Sequence, residues 1–220
     1  MKGKLMKNGL LCMFVLSVLI SCASSPKASN ARMHAPAELI EDAGVALQLL
    51  REGNERYLKG ELVGKDSYAA DREILNSGQN PFAVILTCSD SRAAPEIFFD
   101  QRLGDIFTIR NAGNIADTTA LGSLEYAVEH LKTTLVVVVG HSKCGAVTAA
   151  CSGEELPPNI AHIVGYIKPA VEKGGDIDEV IHANVEVMVE QIKENEIVEH
   201  LGVTVVGAYY DIHTGEVTWL

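Results

Sequence analysis

Two unbroken apolar runs of strand length, Phe82 to Thr87 and Leu135 to Val139, constrain the fold more than any other feature of the chain. A strand with one wet face alternates apolar and polar residues. A strand buried on both faces does not, and both faces are covered chiefly where helices flank a parallel sheet. Ile106 to Ile109 and Val203 to Tyr209 read the same way. Between these runs apolar residues recur at helical spacing, over Ala37 to Leu58, a shorter Asp66 to Leu75, then Asp117 to Leu131, Lys143 to Ala150, Asn159 to Lys173 and Ile177 to His200. Strands alternating with helices predict an α/β fold with a mostly parallel central sheet flanked by helices. The short run Val217-Thr218-Trp219, after a Thr214-Gly215 turn, is expected to close a sheet edge or meet a partner.

The front of the chain is built differently. Lys2, Lys4 and Lys7 precede an apolar stretch from Leu10 to Ile20, followed by Ser21-Cys22. Charge, length and order are those of a secretory signal, and the stretch falls short of the about 20 apolar residues of a permanent span. Leu19-Ile20-Ser21-Cys22 resembles the lipobox of bacterial lipoproteins. That resemblance implies removal of residues 1–21, acylation of Cys22, and an exported protein anchored to a membrane in the periplasm or at the cell surface. Polar residues 22–36 then read as a tether, and residues 37–220 as one domain of ordinary size. The formal net charge of −11, more negative once the three lysines leave, disfavours nucleic acid as a partner. With Cys12 gone and Cys22 acylated, Cys88, Cys144 and Cys151 remain, an odd number that argues against a disulfide framework.

Two of the buried strands run straight into polar loops, Cys88-Ser89-Asp90-Ser91-Arg92 and His141-Ser142-Lys143-Cys144-Gly145. Ligand sites of open α/β sheets lie beyond the carboxyl ends of the strands, so both loops stand where chemistry is expected. Two thiolates and one imidazole make a zinc shell of three protein ligands, with a fourth position for water or substrate. Asp90 is either a fourth ligand or a neighbour that controls that position. A helix beginning near Lys143 puts Cys144 within one turn of its start, where the positive end of the helix favours thiolate. Cys151 reads as a small buried apolar residue.

Through these two loops the chain resembles the β-carbonic anhydrases. Leu50-Arg51-Glu52-Gly53-Asn54, Arg110-Asn111-Ala112-Gly113-Asn114 and Gly207-Ala208-Tyr209-Tyr210-Asp211 extend the likeness across nearly the whole exported domain. The resemblance implies one Zn2+ per subunit on Cys88, His141 and Cys144. It implies reversible hydration of CO2 to bicarbonate and a proton by zinc-bound hydroxide, since zinc lowers the pKa of its water toward about 7. Asp90 is expected to pair with Arg92 in the active state, held off the metal and free to orient the hydroxide, or else to close the site by replacing the water. Gln79, Phe107 and Tyr126 match the family members with an open site. In that case Gln79 hydrogen-bonds a bicarbonate oxygen, Phe107 and Tyr126 wall the CO2 pocket, and the Gly145 N–H is a further candidate for facing substrate. Without the resemblance, Phe107 and Tyr126 read as core. The family builds its site between subunits, so a homodimer or tetramer is implied.

Three rival readings remain. Gly140-His141-Ser142-Lys143-Cys144 has the strand-turn-helix setting of a nucleophile elbow with Ser142 at its centre, but Cys144 stands where the last glycine belongs. In an oxidising compartment, Cys88 and Cys144 would instead join as a disulfide in a non-catalytic scaffold, or the protein would store zinc. The same fold and metal would also serve a COS or CS2 hydrolase.

Overall fold

A computed structural model describes residues 39–63 and 68–220, so the expected signal, Cys22 and the tether lie outside the described residues. Strands β1 (Ala83–Cys88), β2 (Ile106–Asn111), β3 (Leu135–His141) and β4 (Thr204–Tyr210) run parallel in the order β2-β1-β3-β4. β5 (Val217–Trp219) adds antiparallel to β4 and closes that edge. Every residue of β1 and β3 is buried, which is why neither strand alternates.

Each face of the sheet has its own core. Phe82, Ile85, Val137 and Val139 face the side covered by α1 (Ala43–Lys59), and α3 (Pro95–Phe98) adds Phe98 there. Val84, Leu86, Val136 and Val138 face the other side, under α4 (Thr118–Glu129), α5 (Gly145–Ser152), α6 (Pro158–Glu172) and α7 (Ile177–Lys193). The chain leaves β1 toward β2 on one flank and later returns to β3 on the other. Their following loops therefore part and open a crevice beyond the carboxyl ends.

Several boundaries differ from the sequence reading, each for a local reason. The first helix starts at Ala43, not Ala37, because the Asp42 carboxylate accepts the N–H groups of Gly44 (2.7 Å) and Val45 (3.1 Å). The short helix before β1, α2, covers Tyr68–Ile74 and tightens into a 3-10 turn over Leu75–Ser77. The single helix expected from Ile177 to His200 is two, α7 and α8 (Glu196–Leu201). Asn195 breaks it by capping Ile197 and Val198 with its side chain, which restarts the helix. α3 escaped the periodicity because it is one turn long, although Pro95 at its start is a helix-initiating signal. α5 begins at Gly145, so Cys144 is the residue before the helix rather than one inside its first turn.

α7 lies very close over the sheet. A Cβ on Gly140 would stand 2.6 Å from Val185 Cγ2, and one on Gly207 2.9 Å from Val185 Cγ1. Gly140 is the residue immediately before His141, so the fit of α7 against it also fixes where the loop departs. Gly140→Ala is expected to overpack this contact and lower stability by about 1–3 kcal/mol. Urea unfolding should show this as a lower midpoint at an unchanged slope.

Candidate metal centre

Cys88 is the last residue of β1 and His141 the last of β3. Thr87 is level with Val139 in the parallel register, and the buried Thr87 hydroxyl donates to the Val139 carbonyl at 3.0 Å, so the two strands end within one residue of each other. A turn through Lys143, whose φ of 57° is left-handed, brings Cys144 back beside them. The ligand atoms of Cys88, His141 and Cys144 all lie within 4.8 Å of one another, and all three residues are buried.

The imidazole is set for a metal. His141 Nδ1 lies 2.9 Å from the Ser142 carbonyl oxygen. A carbonyl only accepts, so Nδ1 carries the proton and Nε2 keeps its lone pair. Nε2 is buried with no hydrogen-bond partner, an orphan that a cation satisfies. The thiols are set in the same way. The hydrogen bond from Cys144 pulls the Cys88 thiol well below its usual range against the effect of burial, and the Gly113 N–H, 3.4 Å from Cys88 Sγ, adds to this. The same bond, with burial, pushes the Cys144 thiol up. Two thiols that cannot both ionise side by side, next to an unpartnered imidazole nitrogen, form a donor set that fits zinc. Cys88, Cys144 and Cys151 are all free thiols, and Cys151, expected to be buried, is half-buried near the end of α5.

Of the two roles expected for Asp90, the structure shows the one paired with Arg92. Arg92 Nε donates to Asp90 Oδ1 at 2.9 Å and Nη2 to Oδ2 at 2.8 Å, while the Arg92 backbone N–H also reaches Oδ1 at 2.9 Å. In this arrangement Asp90 stands outside the group of three donors, with its carboxylate turned to Arg92. Gly145 opens α5 beside Cys144, with open space where a Cβ would stand.

Of the other pocket candidates, Phe107 and Tyr126 pack against each other and Gln79 stands apart from them. Phe107 pairs with Val84, near the start of β1 and four positions before the level of Cys88. Its ring centroid lies 6.3 Å from that of Tyr126, which is 47% exposed on α4. Gln79 is exposed before β1, in a surface groove with Leu75, Leu103 and Ile106. Ser142, the rival nucleophile, is buried, and its Oγ accepts the Ile212 N–H.

Residues given no role by sequence reasoning complete the centre. Arg110 donates from Nε to the Cys88 carbonyl (3.1 Å) and from Nη2 to the Asp90 carbonyl (2.7 Å), pinning the backbone of the first loop. The available signal was the motif Arg110 to Asn114 itself, a charged residue at the end of an apolar strand followed by a glycine.

An open parallel sheet with two thiols and an imidazole gathered at its switch point defines an α/β metal-binding domain. A family model described as carbonic anhydrase matches residues 83–217, and the chain belongs to that family. Carbonic anhydrase 2 of Mycobacterium tuberculosis is 45% identical over 131 residues, a match covering 58% of this chain and 60% of that protein's length. A carbonic anhydrase of Mycolicibacterium smegmatis is 38% identical over 186 residues, covering 78% of this chain and 90% of that one. Among solved structures, a β-carbonic anhydrase of Aspergillus fumigatus aligns with a TM-score of 0.65 at 26% identity, over 80% of this chain and 89% of that one. A Coccomyxa β-carbonic anhydrase in complex with acetazolamide also aligns with a TM-score of 0.65, at 25% identity, over 81% and 86%.

Arg110→Met keeps the length of the side chain but releases both carbonyls. Zinc affinity, measured by competition with a chromophoric chelator, is expected to fall about tenfold.

Proposed function

We propose that the chain catalyses the reversible hydration of CO2 to bicarbonate and a proton. The observation that carries this reading is the convergence of Cys88, Cys144 and the orphaned Nε2 of His141 beside an aspartate already clamped by an arginine. Zinc held by Cys88, His141 and Cys144 would supply the Lewis acidity that makes water nucleophilic near neutral pH.

The surrounding residues then do the positioning. Arg92 holds the Asp90 carboxyl well below the usual carboxylate range, so it is an anion and can only accept hydrogen bonds. Oδ1 already takes two N–H groups and Oδ2 one, which leaves Oδ2 an acceptor site. That site holds the proton of the attacking water and so turns the oxygen lone pair toward the carbon of CO2. The Gly145 N–H, at the start of α5, would bind an oxygen of the product, a reading supported by the open space beside this residue.

Gln79, Phe107 and Tyr126 reach such a centre only from a second copy of the chain, so the working unit is a homodimer or a larger even assembly. Support comes from the half-exposed Tyr126 ring and from β2, which carries Phe107 and ends the sheet. We also infer export, with membrane attachment through an acylated Cys22. The support is the lysine-apolar-cysteine order of the front end. No helix among the described residues is long and apolar enough to cross a membrane.

Stopped-flow CO2 hydration by the zinc-loaded protein tests the activity. The rate should exceed buffer and vanish in Cys88→Ser, and a zinc-replete protein with no such rate would overturn the reading. Arg92→Lys should keep its zinc yet lose at least about tenfold in kcat/KM, because an ammonium cannot match both carboxylate oxygens at once. Incorporation of a palmitate analogue, expected in the wild type and absent in Cys22→Ala, tests the anchor. An unlabelled wild type would sink it.

A further inference from the structure

One face of α7 is given over to a single stretch of backbone. Asn184, Met188 and Gln191 follow one another at helical spacing, and each engages residues 113–116. Asn184 Nδ2 donates to the Gly113 carbonyl at 3.0 Å, the Ala116 N–H donates to Met188 Sδ at 3.1 Å, and Gln191 Nε2 donates to the Ala116 carbonyl at 2.8 Å. Asn184 and Met188 are each only 1% exposed. The turn is also closed from within. Asn111 donates from Nδ2 to the Ile115 carbonyl at 2.7 Å and accepts the Ile115 N–H on Oδ1 at 2.8 Å.

What this stretch presents is the Gly113 N–H, 3.4 Å from the sulfur of Cys88. Gly113 has a left-handed φ of 76°, and a Cβ there would meet Ile167 Cδ1 at 2.8 Å and Ala146 Cβ at 3.1 Å, so a side chain at this position would be strained. A glycine is also the residue most free to swing. With its carbonyl held by Asn184 and the turn closed by Asn111, the N–H stays on the sulfur. The arrangement keeps a polar amide in the core with its Oδ1 unpartnered, which opposes folding. A plain apolar contact would have seated the helix without that penalty.

We propose that Asn184, backed by Gln191, is a positioning residue for the metal centre, holding the Gly113 N–H on the Cys88 sulfur and so setting how strongly that thiolate binds and donates to the metal. The proposal rests on the zinc reading above. A hydrogen bond to a ligating thiolate draws electron density off the sulfur but also fixes where the sulfur stands, and it is through this positioning that loss of an outer partner typically costs about 10–100-fold in metal affinity.

Cobalt substitution reads the sulfur directly, through the thiolate-to-cobalt charge-transfer absorption. In Asn184→Ala that band should move to lower energy, since the sulfur lone pair rises when its donor drifts, and zinc affinity by chelator competition should fall about tenfold. Gln191→Ala should move both in the same direction by less, and it decides alone if Asn184→Ala does not fold. Asn195→Ala, which removes the cap of α8, should lower the melting temperature but leave the band in place. If Asn184→Ala and Gln191→Ala also lower the melting temperature but leave band and affinity unmoved, Asn184 is a structural staple only and the proposal is overturned. A wild-type protein with no thiolate–cobalt band would instead overturn the zinc assignment, and the positioning role with it.

Discussion

The parallel pairing of β1 with β3 is the constraint on which the centre hangs. Its register sets Thr87 level with Val139, so Cys88 and His141 end their strands within one residue of the same level. Side chains alternate along a strand, so a slip of one residue would send Cys88 to the opposite face and scatter the donors. Two things hold the register. Both strands are buried on both faces, so a slip would misplace a full row of aliphatic side chains on each side, and the Thr87 hydroxyl bonds across to Val139 within that core.

On this scaffold two guanidinium groups act on the same five-residue loop by different means. Arg92 grips the carboxylate of Asp90 with its fork, whereas Arg110 ignores side chains and holds the carbonyls of Cys88 and Asp90. One sets the state and direction of a functional group, the other the path of the backbone beneath it. Both also bring positive charge near thiols that must ionise. The second loop is fixed by its own backbone, with the Ser142 carbonyl turning the imidazole and the Ser142 hydroxyl tying the loop to Ile212. The donors are thus arranged by the fold in advance of any ion, which reduces the ordering that metal binding must impose.

The parts of this design visible in the sequence are those that act over short spacings. β1 and β3 were legible because burial on both faces leaves an unmistakable apolar run, and the ligands because they follow those runs directly. Helix ends were less so. Asp42 and Asn195 decide them by hydrogen bonds from side chain to backbone, which apolar periodicity does not register. The Gly113 contact with Cys88 spans 25 residues, and the Asn184 contact with Gly113 spans 71. Neither has a spacing that sequence inspection can recognise. Gln79, Phe107 and Tyr126 came from family resemblance alone; within one chain Gln79 and Phe107 lie at or before the opposite ends of the strands, and Tyr126 lies on α4 against Phe107.

The close approach of α7 to the sheet has a further consequence, for sequence variation. Gly140 and Gly207 sit on neighbouring strands, and the two methyl groups of one residue, Val185, occupy the space above them, Cγ2 over Gly140 and Cγ1 over Gly207. The three positions therefore share a fixed volume. A side chain gained at either glycine must be matched by volume lost at 185, and a larger residue at 185 would press on both strands at once. Among sequences with this fold these three positions should change together or not at all, so that any variation among them would be correlated and would report the helix-to-sheet distance.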